Sequence, residues 1–114
     1  MSAAVLERHD PLAGLSREAF ERRLRDALRG RVEEAWIFGS YAEGTFHSES
    51  DVDLFLVQAT DLPFTRRPFA FADLLDIGPA LDMLVYTPGE FARLTANPSI
   101  GFWRTAVARM RRLL

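Results

Sequence analysis

One seven-residue segment, Asp51 to Val57, constrains the fold of this chain most strongly. It reads Asp-Val-Asp-Leu-Phe-Leu-Val, a run of apolar, aromatic and β-branched residues that predicts a buried strand. Its two acids stand at alternate positions. Because successive side chains of a strand point to opposite faces, Asp51 and Asp53 are expected on the same face. The segment therefore predicts a strand that presents two carboxylates together at its start.

Predicted helices and strands alternate on either side of this segment. Further strands are predicted at 32–38 and 81–86, each with aromatic or β-branched residues between turn signals. Helices are predicted for about 14 residues after an N-cap at Ser16, at about 69–75, from Pro88, and from about Ser99 through Leu114. This order predicts an α/β (α+β) fold, a small mixed β-sheet covered by helices on one face. With 114 residues, we expect a lead-in at 1–15 and a single domain at 16–114.

The composition restricts the chemistry available to such a domain. The chain has no cysteine, and its histidines are His9 and His47. These counts exclude disulfides, iron–sulfur clusters, a thiol nucleophile and a multi-histidine metal site. All 14 basic residues are arginine, which excludes Schiff-base chemistry and a phosphate-binding loop lysine. An enzyme built from this chain would work with carboxylates, hydroxyls, arginines and backbone amides.

Charge and hydropathy exclude two classes of partner. The net charge of −2 and the sequence pI of about 5.6 argue against a dedicated nucleic-acid-binding protein, which normally carries a basic surplus. No apolar run approaches the roughly 18 residues needed to span a bilayer, and the N-terminus has no signal-peptide pattern. From the sequence we therefore expect a cytoplasmic protein that binds neither membranes nor, directly, nucleic acid.

Five residues form a constellation suited to a nucleoside triphosphate with magnesium. Gly39 and Ser40 end a predicted strand, so the backbone can approach a ligand and offer a hydroxyl and amides to phosphate oxygens. Asp51 and Asp53 follow, and Asp82 lies in the next predicted strand. Carboxylate oxygens suit hard divalent cations, which usually keep substrate phosphates and waters in their shell. Each residue alone also fits an ordinary turn or an exposed strand-end acid, but their combination favours a metal–nucleotide site.

The spacing Gly39-Ser40-x10-Asp51-x-Asp53 resembles the signature of the DNA polymerase β-like nucleotidyltransferase superfamily. The fuller stretch, from Gly39 through Gly44 and on to Leu54, is similar to its minimal nucleotidyltransferase (MNT) branch. This resemblance implies the polymerase β-like nucleotidyltransferase fold. It also implies that three aspartates bind metal, with two Mg2+ ions expected, and that the Gly-Ser pair binds the triphosphate of ATP. Those residues are Asp51, Asp53 and Asp82 for catalysis and metal, and Gly39 and Ser40 for nucleotide. One position departs from the pattern, because MNT proteins often have arginine where this chain has Glu43.

The resemblance also implies a partner. Small MNT proteins are typically antitoxins that bind a HEPN-family toxin, an RNase, and transfer AMP from ATP to a tyrosine of that toxin. The predicted domain leaves little of the 114 residues for holding an acceptor, so a second protein is expected to supply that surface. Two alternatives stay open: a non-catalytic antitoxin that acts by occlusion, and a small-molecule nucleotidyltransferase of the aminoglycoside-modifying type.

Several other side chains could reach a bound nucleotide. Arg66, Arg67 and Arg104 could contact phosphates, and His47 lies in the loop before the acids. Exposed positions in solvent are the favoured interpretation for all four. The sequence does not assign a role to Glu43.

Overall fold

The structure, a computed structural model, describes residues 10–47, 50–98 and 101–114. The helices are α1 (Arg17–Leu28), α2 (Gly39–Glu43), α3 (Pro88–Ala96) and α4 (Gly101–Arg109). The strands are β1 (Glu34–Phe38), β2 (Val52–Val57), β3 (Leu81–Tyr86) and β4 (Arg111–Arg112), and a 3₁₀ segment covers Phe64–Asp76. Residues 1–9 of the predicted lead-in and the predicted helix start near Ser99 lie outside the described residues. No helix in the described ranges is both long and apolar enough to cross a membrane.

The four strands form one mixed sheet in the order β3-β2-β1-β4. Strand β1 runs antiparallel to both β2 and β4, whereas β2 and β3 are parallel. A parallel pair needs a crossover connection, and the chain between Val57 and Leu81, which contains the 3₁₀ segment, makes it. The predicted small mixed sheet with helices is thus confirmed.

Helices cover both faces of this sheet, so the expected covering on one face is wrong. Alternate strand residues divide into two apolar clusters, as period-two side-chain orientation requires. On one face, Ile37, Leu54 and Val85 pack with residues of α1 and the 3₁₀ segment. On the other, Phe55 packs with residues of α3 and α4, including Trp103. Helices α3 and α4 each have an apolar stripe, and they bury it against the second face of the sheet.

Helix boundaries follow from local capping. The Ser16 hydroxyl accepts a hydrogen bond from the Ala19 amide at 3.1 Å, confirming Ser16 as the N-cap of α1. Thr87 and Glu90 form a capping box at the start of α3, where Pro88 occupies the first turn. Both helix starts were predictable because capping depends on neighbouring residues alone.

Two predicted elements differ from the structure. The predicted helix at 69–75 is a 3₁₀ segment that starts at Phe64, contains Pro68 and has non-helical backbone angles at Phe71. The last helix ends at Arg109 instead of running to Leu114. Residues after it pair with β1, and the Leu113 amide donates to the Ala35 carbonyl at 2.8 Å. This pairing satisfies the backbone N–H and C=O groups at the outer edge of β1, which would lack these partners if the helix continued.

Candidate active site

The sheet brings two of the predicted acids together. Asp53 of β2 and Asp82 of β3 are direct partners in the parallel register, near the starts of both strands. Asp53 alternates with the α1-facing residues Val52 and Leu54, so it belongs to the face covered by α3 and α4. Asp51 immediately precedes β2 and is exposed, as is Asp82, whereas Asp53 is half-buried. The three acids therefore approach one end of one face of the sheet.

Their charges act on one another. Burial raises the pKa of the Asp53 carboxyl to about 6, and the negative charges of Asp82 and Asp51 add to the effect. A carboxyl with this pKa is still mostly ionised at pH 7, but its negative charge is less stable than that of an ordinary aspartate, so a positive charge placed beside Asp53 would be stabilising. This electrostatic coupling follows from the positions of Asp82 and Asp51 relative to Asp53.

Gly39 lies against the Asp53 carboxylate, at the turn where β1 becomes α2. Its φ of +73° lies in the left-handed region that favours glycine. A Cβ built at this position would overlap Oδ2 of Asp53. The absence of a side chain thus lets the backbone of the turn touch the acid, and Ser40 follows, half-buried, in the first turn of α2.

A cavity of about 250 Å³ opens beside this turn. Its walls come from the β1–α2 turn, from Asp53 of β2 and from one side of α4. The lining residues are Phe38, Gly39, Glu43, Asp53, Phe102, Thr105 and Ala106. Phe102 is 52% exposed at the surface of α4 and meets Phe38 edge-on with ring centroids 6.0 Å apart. The cavity joins the predicted acid and glycine to residues of α4 that sequence reasoning missed, because nothing local to α4 signals that it packs against this turn.

A partly buried hydrogen-bond network anchors α2. The Tyr41 hydroxyl donates to Glu21 of α1 at 2.8 Å, and Arg111 of β4 donates to both carboxylate oxygens of Glu21 at 3.0 and 2.8 Å. The Arg17 guanidinium donates to the Tyr41 carbonyl at 2.8 Å and covers the ring, 4.3 Å from its centroid. The Arg111 hydrogen bonds hold the pKa of Glu21 below its usual range. Elements from both ends of the described chain therefore hold Tyr41, the residue after Ser40, in place. The Tyr41 side chain is only 1% exposed.

The acids fit a hard cation by their chemistry but are not a preassembled cage. Within the described ranges, no three His, Cys, Asp or Glu side chains are gathered so as to hold a metal ion. Asp53 and Asp82 supply oxygen donors from adjacent strands, and Asp51 lies two residues before Asp53. A magnesium ion usually keeps several waters and binds through one or two carboxylates plus substrate phosphates. The pair is compatible with that mode, and the assignment of metal and nucleotide roles to the five residues stays a prediction.

One of the loop arginines expected in solvent is buried instead. Arg67 is 8% exposed and donates to Leu62 O at 2.9 Å, to Val85 O at 3.1 Å and to Glu90 at 2.6 Å. It ties the 3₁₀ segment to edge strand β3 and to α3, and it is unavailable to a phosphate. Arg66, Arg104 and His47 are exposed, as expected.

Known proteins are similar to this chain in the part that contains Gly39, Ser40, Asp51 and Asp53. Residues 17–68 match the family model described as nucleotidyltransferase domain. This range, from α1 into the 3₁₀ segment, is therefore similar to nucleotidyltransferase domains. The matched range includes Gly39, Ser40, Asp51 and Asp53, and the predicted relationship to nucleotidyltransferases is confirmed.

One curated relative and two solved structures are similar to this chain. A Methanocaldococcus jannaschii protein, provisionally named as a protein adenylyltransferase, is 38% identical over 45 residues, which are 40% of this chain and 45% of the relative. A toxin–antitoxin crystal structure with AMP-PNP is 22% identical, has a TM-score of 0.51 and covers 82% of this chain and 72% of its own. A mutant of the toxin–antitoxin MntA-HpeT is 20% identical, with a TM-score of 0.50 and the same coverages. These structures confirm the fold, and the chain spans under half of the curated relative's length.

Proposed function

We propose that this protein is an MNT-type antitoxin that transfers AMP from ATP to a tyrosine hydroxyl of a partner HEPN toxin and thereby neutralises it. The proposal takes residues 16–114 as its nucleotidyltransferase domain, acting in the cytoplasm. The observation that carries it is the contact of Gly39 with Asp53, whose register partner is Asp82. A glycine turn, two in-register acids and an adjoining cavity form a site in which phosphates and an acceptor hydroxyl can meet.

The chain's own residues have distinct tasks in this reaction. The Ser40 hydroxyl and the backbone that Gly39 leaves accessible would bind the triphosphate. Asp51, Asp53 and Asp82 would hold Mg2+, which when bound supplies charge neutralisation and lowers the pKa of the acceptor hydroxyl. The tyrosine oxygen forms a bond to the α-phosphorus while the bond from that phosphorus to the bridging oxygen breaks. Pyrophosphate leaves, and a carboxylate of the acidic group takes the phenol proton.

A protein acceptor is supported by three findings taken together. The curated relative is named as a protein adenylyltransferase, and the two similar structures are toxin–antitoxin complexes. The cavity beside Asp53 is small and open to one side of α4, which suits a side chain presented by another protein better than a large free acceptor.

Neutralisation by binding alone is a second candidate, and an apolar surface favours it. Phe69 of the 3₁₀ segment is 76% exposed, and Phe64 is 41% exposed. Phe64 also lines a cavity of about 350 Å³ with Tyr86 and Leu94. Exposed aromatic side chains beside a cavity are typical of protein-binding surfaces. A partner seated there would be held whether or not the acids react.

Labelled ATP separates the two functions. We expect a reaction of the protein, Mg2+ and a HEPN-family toxin to give a labelled toxin with α-labelled ATP and none with γ-labelled ATP. The Asp51→Asn/Asp53→Asn variant should lose the label, whereas Asp61→Asn, an exposed acid outside the site, should retain it. Absence of label from the wild-type reaction, or label that survives the double substitution, would contradict the transferase. Protection of cells by the double variant would establish binding alone as sufficient.

A further inference from the structure

The cavity beside Asp53 is acidic where a polyphosphate would enter. Glu43 and Asp53 both contribute to its wall, and the charges of Asp82 and Asp51 reach Asp53. Phosphate oxygens placed among these carboxylates are repelled unless positive groups offset the charge. The chain has no lysine, so arginine is its one side chain that is always positively charged near neutral pH.

Helix α4 brings an arginine to the rim of this cavity. Phe102, Thr105 and Ala106 line the cavity, and Arg109 follows Thr105 by four residues, which places it on the same side of the helix. Its Nη1 lies 3.5 Å from Oε1 of the wall residue Glu43. Since Glu43 belongs to α2 and Arg109 to α4, this contact links the two helices beside the cavity.

The ion pair is loose enough to exchange partners. The Arg109 side chain is 62% exposed, and a solvent-exposed pair of this kind contributes little to stability. Its 3.5 Å separation is longer than the roughly 2.7–2.9 Å of a strong charge-assisted hydrogen bond. A phosphate group accepts two parallel hydrogen bonds from a guanidinium, a better match than this single long contact.

We propose that Arg109 binds the distal phosphates of the nucleotide and that Glu43 holds it at the cavity rim until the nucleotide enters. The inference rests on the proposed function. The α-phosphate must react beside the acids, so a guanidinium held by Glu43, beyond the Gly39–Ser40 turn, serves the β- and γ-phosphates. Arg109 thus favours a triphosphate over a monophosphate.

Calorimetric titration tests this inference without relying on transfer. The probes are AMP-PNP, inorganic tripolyphosphate and AMP, each titrated in magnesium buffer. Arg109→Ala should weaken binding of AMP-PNP and tripolyphosphate about tenfold and that of AMP less than about twofold, since one charged hydrogen-bonding group is lost. Arg109→Lys, which keeps the charge, should lie between wild type and alanine. The matched control is Arg29→Ala, whose side chain is 63% exposed and paired with Asp26 on α1.

The direction in which Glu43→Gln changes AMP-PNP affinity decides between the proposed role and a purely structural one. The substitution removes a competing carboxylate and frees Arg109, so AMP-PNP should bind about threefold more tightly. If the pair only held α2 against α4, Glu43→Gln and Arg109→Ala would weaken binding alike, and that result would overturn the inference. Unchanged AMP-PNP binding by Arg109→Ala would also overturn it. Binding with the expected pattern but no transfer to a HEPN protein would contradict the transferase alone, and a wild-type protein that binds none of the probes would contradict both proposals.

Discussion

Gly39 touches the carboxylate of Asp53 so closely that a β-carbon at residue 39 would overlap Oδ2, and it would lie 3.3 Å from Cγ. The same residue has a left-handed backbone, with φ of +73°. Two separate physical requirements therefore coincide at one position: a conformation that disfavours side chains, and a contact with an acid that excludes them. Substitutions can separate the two.

Gly39→Ala should destabilise the protein by about 3 kcal/mol, combining left-handed strain with overlap at Asp53. Gly44 is the matched control, because its φ is +83° and a Cβ there meets nothing within 4 Å. Gly44→Ala should therefore cost only the strain, about 1 kcal/mol. Chemical unfolding measures both values. If the contact with Asp53 is responsible for the difference, adding Asp53→Ala to Gly39→Ala should bring the loss close to that of Gly44→Ala, and two equal losses for the single variants would contradict it.

The raised pKa of Asp53 makes stability depend on pH in a definite direction. Burial, and then the charges of Asp82 and Asp51, raise the pKa from 3.8 to about 6 on folding. The folded protein therefore holds this proton more tightly, and stability falls as pH rises from about 4 through 6. In buffer that contains a metal chelator, Asp53→Asn should have a free energy of unfolding about 1–2 kcal/mol higher than that of the wild type at pH 7.5. This value is reduced for solvent screening of the half-buried carboxyl. Near pH 4 the two proteins should be equally stable. Unfolding curves at the two pH values check this, and a benefit that is the same at both would argue against the shift.

Magnesium should stabilise the same group of acids. A cation held by carboxylates that repel one another binds the folded state in preference to the unfolded chain, so it raises the melting temperature. We expect Mg2+ or Mn2+ to raise the Tm of the wild type and to leave that of Asp53→Asn unchanged. Asp61→Asn is the control, since Asp61 is exposed outside the site and its loss should leave the magnesium effect intact. A wild-type Tm indifferent to both cations would count against the site.

Parts of this site were predictable from sequence because they depend on residues close together in the chain. Gly39 follows a strand pattern directly, and Asp51 and Asp53 lie at alternate positions of one apolar run. The boundaries of β3 were likewise marked by Gly78-Pro79 before it and Thr87-Pro88 after it. Local rules of strand alternation, capping and turn chemistry suffice for such features.

Other parts depend on how distant elements pack, which a single sequence does not encode locally. The register that places Asp82 beside Asp53 depends on the crossover between β2 and β3. The position of Arg109 at the cavity depends on α4 covering the second face, and the end of α4 depends on β1 accepting another strand. Arg67 was misjudged for the same reason: its carbonyl and carboxylate partners lie in elements 18 and 23 residues away along the chain.

Substitutions of Arg67 and of its exposed neighbour Arg66 therefore test whether the buried contacts of Arg67 stabilise the fold. Arg67→Ala would leave the Val85 and Leu62 carbonyls without this donor and remove the ion partner of Glu90, so we expect Tm to fall by about 5–10 °C. Arg66→Ala, at an exposed position of the same segment, should change Tm by less than about 2 °C.

The Arg67 hydrogen bonds lower the pKa of Glu90 to about 2. The stabilisation from this pair is thus complete above the ordinary pKa of a glutamate and is lost as pH falls from about 4.5 toward 2. The Tm difference between wild type and Arg67→Ala should narrow over that range, and a difference that persists undiminished at pH 2 would show that packing, rather than the ion pair, holds the 3₁₀ segment to β3.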